Sequence, residues 1–394
     1  MAYAERMTIH APTISERGQI TRLSADVTFP DGTQTLWFEC DKAHANGFTP
    51  EASDAFVVAA LIVAMRRGLD IAVEGSMSSR LHYHLTTAYM ELLSSLLPDT
   101  RVVDIEAKRL HRTIWRGSGA ITGFSGGIDS FCTVLEHRAG QVQQEYEITH
   151  LLFNNVGSHG QSDHDDRVFA DRFVRLESVA RDRFALPLIA VDSNLDDFIG
   201  MDFQLTHTLR NVAVALLFHN FAAKYLYSST VHFCDCSARP TYDIGYADAI
   251  GVPLLSTESM ECISSGSRHT RFAKTKLVAA NPASFATLDV CVMPPVGGRT
   301  NCSTCWKCLR TELTLEVIGA LPNYATAFDL DAYRRLRWIY LCEVLRSRQP
   351  LLQEIRAGMQ SHGYKVPASA RVAAAILPGN VFDVLRRAGS RLFR

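Results

Sequence analysis

The chain reads as an α/β protein built on a doubly wound parallel sheet. Three observations predict that class. From about residue 116 onward, short apolar runs alternate with helix-patterned segments, the rhythm of strands that lie parallel with helices on both faces. A serine- and glycine-rich turn, Ser125-Gly126-Gly127-Ile128-Asp129-Ser130, separates one such strand from the next helix. The composition, 47% apolar at a net charge of −1, is that of a packed globular core.

Taken in order, the first 115 residues read as a small α+β domain. Alternating runs from Thr21 to Cys40, broken by Pro30-Asp31-Gly32, are a hairpin pattern. An amphipathic helix follows over 53–67, with Phe56, Ala59, Ala60, Ile62, Val63 and Met65 mostly on one side. Ile71–Gly75 reads as a strand, 81–97 as a helix closed by Pro98, and 102–106 as one more strand. His82 and His84 read as helix-surface histidines, since His-x-His alone is too common a pattern to name a metal pair.

The second region, 116–325, carries the parallel rhythm. Strands are expected at 120–124, 148–153, 187–191 and 226–231, with helices at 131–137, 163–184 and 206–224. In such sheets ligands sit at the carboxyl ends of strands. The turn at 125–130 is at that edge, and so are Asn154, Asn155 and Gly157, and Asp192, Ser193 and Asn194. The remaining 326–394 is helical in pattern and rich in arginine. Its apolar stripe of Tyr333, Leu336, Ile339, Tyr340 and Leu345 suits a terminal helix against the body, and it permits a homodimer.

A strand, a glycine turn and a helix start together make an anion cradle. Backbone N–H groups point out of the helix end, and the helix dipole favours negative charge. Two glycines let the backbone approach a phosphate closely, and Ser125 and Ser130 add hydroxyl donors. The string lacks the Gly-Lys-Ser/Thr of a Walker A loop. It closely resembles the PP-loop of the ATP pyrophosphatase superfamily, also described as adenine nucleotide alpha hydrolase-like. That resemblance implies ATP with Mg²⁺ as cofactors, cleavage between the α and β phosphates, and AMP placed on a substrate oxygen.

The second chemical motif is Cys302-Ser303-Thr304-Cys305-Trp306-Lys307-Cys308, with Cys291 upstream. Two overlapping Cys-x-x-Cys turns supply three thiolates, and Cys291 is the nearest fourth, reached by a loop containing Pro294, Pro295, Gly297 and Gly298. Four soft donors suit tetrahedral Zn²⁺. An iron–sulfur cluster is the second reading, and a redox pair at Cys305 and Cys308 the third.

A PP-loop followed by this cysteine pattern and Arg310 resembles the 7-cyano-7-deazaguanine synthase family. Asp235-Cys236-Ser237-Ala238-Arg239-Pro240 with Tyr242 and Asp243 looks like the family's substrate-side loop, Pro253-Leu254-Leu255 like its late strand, and Lys274-Thr275-Lys276 like its helix start. The resemblance spans about 118 to 320. It implies a ligase that adenylates a carboxylate or amide oxygen of a small molecule or modified base and then admits nitrogen from ammonia or an amine. Asp129, Ser130, Lys274 and Lys276 are the expected catalytic residues, with Asp235, Arg239, Tyr242 and Asp243 toward the substrate.

Two other functions fit the same motifs. One is a PP-loop sulfurtransferase acting on tRNA or a small molecule, with Cys132, Cys234, Cys236 or Cys262 as the thiol. The other is a nucleotide-binding regulatory or recruitment protein. A net charge of −1 gives no bulk attraction to nucleic acid, though it does not exclude a local basic groove. No apolar run suits a membrane span and no signal peptide is evident, so a cytoplasmic location with reduced cysteines is expected.

Overall fold

The computed structural model describes residues 5–115, 117–158, 163–291 and 299–392. The chain forms two compact units, one of Met1–Phe124 with Glu136–Ser267, the other of Ser125–Leu135 with Arg268–Arg394.

The first unit holds an eleven-stranded sheet. Its strands are β1 (Arg6–Ile9), β2 (Thr13–Arg17), β3 (Ile20–Phe29), β4 (Gly32–Asp41), β5 (Asp70–Ser78), β6 (Ile105–His111), β7 (Ala120–Gly123), β8 (Ile148–Asn154), β9 (Leu188–Ser193), β10 (Lys224–Ser228) and β11 (Glu261–Ser265). The order across the sheet is β11-β10-β7-β8-β9-β4-β3-β1-β5-β6, with β2 against β3. From β7 the chain steps through β8 to β9, then returns to lay β10 and β11 on the other side of β7, all in parallel. This is a doubly wound order, and the direction of winding reverses between β7 and β10. In the chain, Phe124 alone separates the last residue of β7 from Ser125.

The hairpin read at Pro30-Asp31-Gly32 joins β3 to β4, with Phe29 opposite Gly32. The division read at residue 115 is crossed, however. Strand β4 pairs antiparallel with β9 through Phe38↔Ser193 and Glu39↔Asp192. Asn194 seals this seam, accepting from Trp37 N at 2.9 Å and donating to Thr35 O at 2.8 Å. One buried core accordingly runs from Met7 through Phe38, Phe56 and Val191 to Cys262.

The helix Asp54–Arg67 is apolar on nearly every side, and Phe56, Val57, Val58, Leu61 and Ile62 are all fully buried. It is a central helix rather than a surface one, because it packs between the sheet and the helix His207–Ala215. Gly68, at φ 67°, ends it in the left-handed conformation that glycine tolerates. Helix 79–96 contains a wide turn at Leu85–Tyr89. His82 Nε2 meets Ile105 O at 3.0 Å and His84 Nδ1 meets Leu254 O at 3.2 Å, so both rings have backbone partners. Pro253-Leu254-Leu255 is not a strand. Pro253 lacks the N–H a ladder needs and sits in the 3₁₀ turn Val252–Leu255, and the strand comes later, as β11.

The second unit is helical. Its core gathers Phe272, Leu309, Leu313, Tyr333, Leu336 and Phe382. The tail is held here: Glu316 accepts from Arg337 Nη2 and from the Tyr364 hydroxyl, each at 2.6 Å, and Arg386 pairs with Glu343 at 2.8 Å. Among the described residues no helix is long and apolar enough to cross a membrane.

Candidate functional site: a cation-lined loop beside a four-cysteine cluster

The loop at 125–130 opens the second unit. Gly126 has φ 74°, which an L side chain rarely adopts. That turn lets the helix Ile128–Glu136 start at once, with its first N–H groups unclaimed by the helix itself. Gly126 O accepts from Asp289 N at 2.8 Å, which pins the turn. Ser130 Oγ donates to Gly127 O at 3.1 Å and lies 3.5 Å from Ser125 Oγ. Ser125 is exposed and Ser130 buried.

Three basic side chains reach toward Asp129 in this helix start. Lys274 Nζ donates to Asp129 Oδ1 at 3.1 Å, and Arg271 Nη1 donates to Oδ2. Both cations come from the helix Arg271–Ala279, capped by Thr270 Oγ1, which accepts from Ala273 N. They stand three residues apart and so share a face. The third, Arg310, is 5% exposed and lies over the Trp306 ring at 5.0 Å. The Nε atoms of Arg271 and Arg310 have no hydrogen-bond partner among the described residues.

Titration follows from this crowding. Burial pushes the Asp129 carboxyl up, but Arg271, Lys274 and Arg310 outweigh it and hold the group below its usual value. Burial, with Arg271 adding repulsion, brings Arg310 down to about 10. Burial, then Arg310 and Arg271, brings Lys307 down to about 8. Cations gathered around a single central carboxylate form a site suited to an anion of several charges. Lys276, by contrast, is exposed and does not join them.

The four cysteines do converge. Cys291, Cys302, Cys305 and Cys308 place their sulfurs within 4.8 Å of one another. The separations are 4.0 Å for Cys291–Cys305, 3.9 Å for Cys302–Cys308 and 3.4 Å for Cys305–Cys308. A tetrahedral ion with Zn–S bonds of about 2.3 Å spaces its sulfurs about 3.8 Å apart. The set therefore fits one metal ion such as zinc, and is too tight to spread over the separate irons of a cubane. Ser303 takes φ 55° in the knuckle, and Cys305 N donates to Cys302 Sγ at 3.3 Å. Without an ion the four thiols split: hydrogen bonds from Cys291 hold Cys302 far below its ordinary value and lower Cys305 to about 7, while hydrogen bonds with Cys302 and Cys305 push Cys291 up and burial pushes Cys308 up. Buried Asn301 ties the two arms together through Val290 N, Leu288 O and Ala327 O. The Pro294–Gly298 stretch lies outside the described residues.

The expected substrate residues belong to the first unit. Asp235 ends a short 3₁₀ turn, Arg239 is exposed, and Tyr242 is 68% exposed with its hydroxyl 3.5 Å from that of Tyr246. Asp243 is engaged: its Oδ1 accepts from Gly245 N at 2.8 Å and from His207 Nε2 at 3.0 Å. With Nε2 protonated toward the carboxylate, His207 Nδ1 accepts from the Tyr227 hydroxyl at 2.6 Å. The other polar strand ends also bind one another. Asn155 Nδ2 donates to Asp192 Oδ1, and Ser193 Oγ to Asn155 O. Gly157 is a glycine because a Cβ there would come 2.4 Å from buried Arg210.

The four candidate sulfur-transfer thiols stand in different surroundings. Cys132 is buried, burial pushes Cys262 up to about 12, and burial raises Cys236, while Cys234 is exposed. Sequence reasoning missed Arg271, Lys307, His207 and Tyr227. Arg271 had one local signal, its helical spacing from Lys274, and Lys307 had its place between two metal ligands. Comparison of the chain with family models, curated proteins and solved structures finds no match.

Proposed function

We propose that the chain is an ATP-dependent carbon–nitrogen ligase that forms AMP and pyrophosphate. The observation that carries this reading is the gathering of buried Lys274 and Arg310 with Arg271 around a glycine loop at a helix start. Charges of that number and burial suit a polyphosphate, and the loop supplies N–H donors beside them. On this reading, the N–H groups of the 125–130 turn with Ser125 and Ser130 hold the phosphates. Arg271, Lys274 and Arg310 neutralise the pyrophosphate as it leaves. Asp129 offers a carboxylate oxygen to Mg²⁺, which takes one or two carboxylates plus phosphate oxygens. A substrate carboxylate or amide oxygen attacks the α-phosphorus, and ammonia or an amine then displaces AMP.

The assignment of Asp235, Arg239, Tyr242 and Asp243 to the substrate rests on the family resemblance. So does a deazaguanine-like acceptor, and a different acceptor is compatible with the same chemistry. The four-cysteine cluster is read as a structural zinc site. The test is pyrophosphate release from ATP with a panel of carboxylic acids and ammonia. Release that depends on one acid supports the ligase. Silence across the panel with ATP still bound refutes it and leaves a nucleotide-binding regulator.

A further inference from the structure

The tail helices Ala368–Ile376 and Gly379–Leu392 each pack with one face and leave another open. Both lie against the helix Leu330–Arg346. There Cys342 Sγ reaches Ala370 O at 3.6 Å, Arg346 Nη1 donates to Ala374 O at 2.7 Å, and Phe382 is fully buried. The outward faces follow from the period of the helix. On the first helix Val372 and Ile376 stand one turn apart, across from buried Ala370 and Ala374. On the second Val384 and Ala388 do the same, across from buried Phe382 and Gly389. Val372, Ile376, Leu377, Val384 and Leu385 are all exposed, Ile376 at 74% and Val384 at 63%. So many open aliphatic side chains in one short stretch mark an interaction surface rather than the scattered singles of an ordinary exterior.

The same stretch is strongly basic. Residues 355–394 hold seven Lys or Arg and one acid, Asp383, in a chain of net charge −1. Arg371 and Arg387 are exposed beside the open faces, whereas Arg386 turns inward to Glu343 at 2.8 Å. Charge chooses among the partners that could cover such a face. A second copy would set the same arginines against one another, because a two-fold interface pairs a patch with itself. Nucleic acid would satisfy the arginines, but its readers stack bases on aromatic rings and gain little from Ile376 or Val384. An anionic lipid surface takes both groups: aliphatic side chains enter the acyl boundary, and arginines reach the headgroup phosphates. We propose that the helices Ala368–Ile376 and Gly379–Leu392 form a docking surface for an anionic lipid bilayer, on which the chain lies without crossing it. The proposal stands apart from the nucleotide reading, since none of these residues belongs to the glycine loop or its cations.

The experiment is flotation of the full chain with vesicles of phosphatidylcholine alone and of phosphatidylcholine with about one third phosphatidylserine. Wild type is expected to bind the anionic vesicles at least about tenfold more tightly than the neutral ones, and to lose most of that preference in high salt. The double variant Ile376→Ser with Val384→Ser keeps every charge and is expected to bind anionic vesicles at least about tenfold more weakly. Both positions are exposed, so circular dichroism should show the wild-type fold. Wild type that floats with neither vesicle, or equally with both, overturns the proposal whatever the variant does. A variant that binds as well as wild type also overturns it, because arginines alone would then account for the binding. Binding to a single-stranded oligonucleotide without binding to vesicles assigns the surface to nucleic acid. A wild-type dimer that the variant dissolves, again without vesicle binding, assigns it to a second copy, and either result overturns the proposal.

Discussion

Replacing Asp54 by Asn should change how the stability of the protein depends on pH. Asp54 begins the central helix Asp54–Arg67 and is 0% exposed. Its Oδ1 accepts from Ser78 N at 2.8 Å, while Oδ2 has no hydrogen-bond partner among the described residues and faces His111 Nε2 at 3.8 Å. Burial is the main force on the carboxyl, and Glu258 adds to it, so its value rises from 3.8 to about 7 despite the Ser78 bond. Burial also pushes His111 down, with Arg109 adding to the fall. The sign follows directly. Between pH 4 and 7 the folded chain keeps a proton on Asp54 that the unfolded chain has lost. Stability therefore falls as pH rises through that window, and the contribution levels off above the folded value. A rise from 3.8 to about 7 corresponds to roughly 4 kcal/mol at its upper limit. Asn keeps the acceptor for Ser78 N and cannot ionise. Urea denaturation followed by circular dichroism should show the variant ~2–4 kcal/mol more stable than wild type at pH 8 and within ~1 kcal/mol of it near pH 4.5. A difference between the two proteins that stays constant with pH, or grows toward acid, would refute the argument.

The remaining expectations concern the second unit. Metal analysis should find about one zinc per chain, and Cys305→Ser should lose it together with a few kcal/mol (~3) of stability; a variant that unfolds at the wild-type urea concentration would show that the cluster does not hold the fold. Lys274→Met should weaken pyrophosphate binding about ten- to a hundredfold, as loss of a buried charged donor predicts, while exposed Lys276→Met should leave it unchanged. Equal losses in the two variants would place the ligand elsewhere on that helix.

Much of this architecture is written locally in the chain. Strands β8 and β9 announce themselves as apolar runs of Leu, Ile, Val and Phe, because a strand covered on both faces needs them. The turn at Gly126 is legible because a left-handed residue between a strand and a helix almost demands glycine. The fourth cysteine ligand was legible by elimination of distance, and the sulfur spacings agree with it. What escaped was decided between distant residues. The β4–β9 seam rests on two residue pairs and on Asn194, which reaches back to Thr35 and Trp37. Nothing near Asn194 distinguishes a strand-end asparagine that clamps a sheet from one that awaits a ligand. The same holds for Asn155, Asp192 and Ser193, whose composition is the same whether they bind a nucleotide or one another.

The two motifs read separately in the sequence meet on one helix. Cys305 precedes the helix Trp306–Val317, and its first turns carry Lys307, Cys308 and Arg310. One side of these turns completes the sulfur set, while Arg310 is among the charges that hold Asp129 ionised. A Cys-x-x-Cys-x-x-Cys pattern describes ligand spacing only and is silent about the residues between and after the cysteines. In the folded unit those residues inherit the rigidity of the knuckle, since Asn301 and the Cys302 sulfur fix the backbone just before the helix starts. A buried guanidinium such as Arg310 loses most of its value to an anion if its helix can shift by even an ångström. The cysteine cluster is therefore better understood as the mount of the cationic site than as an independent structural staple.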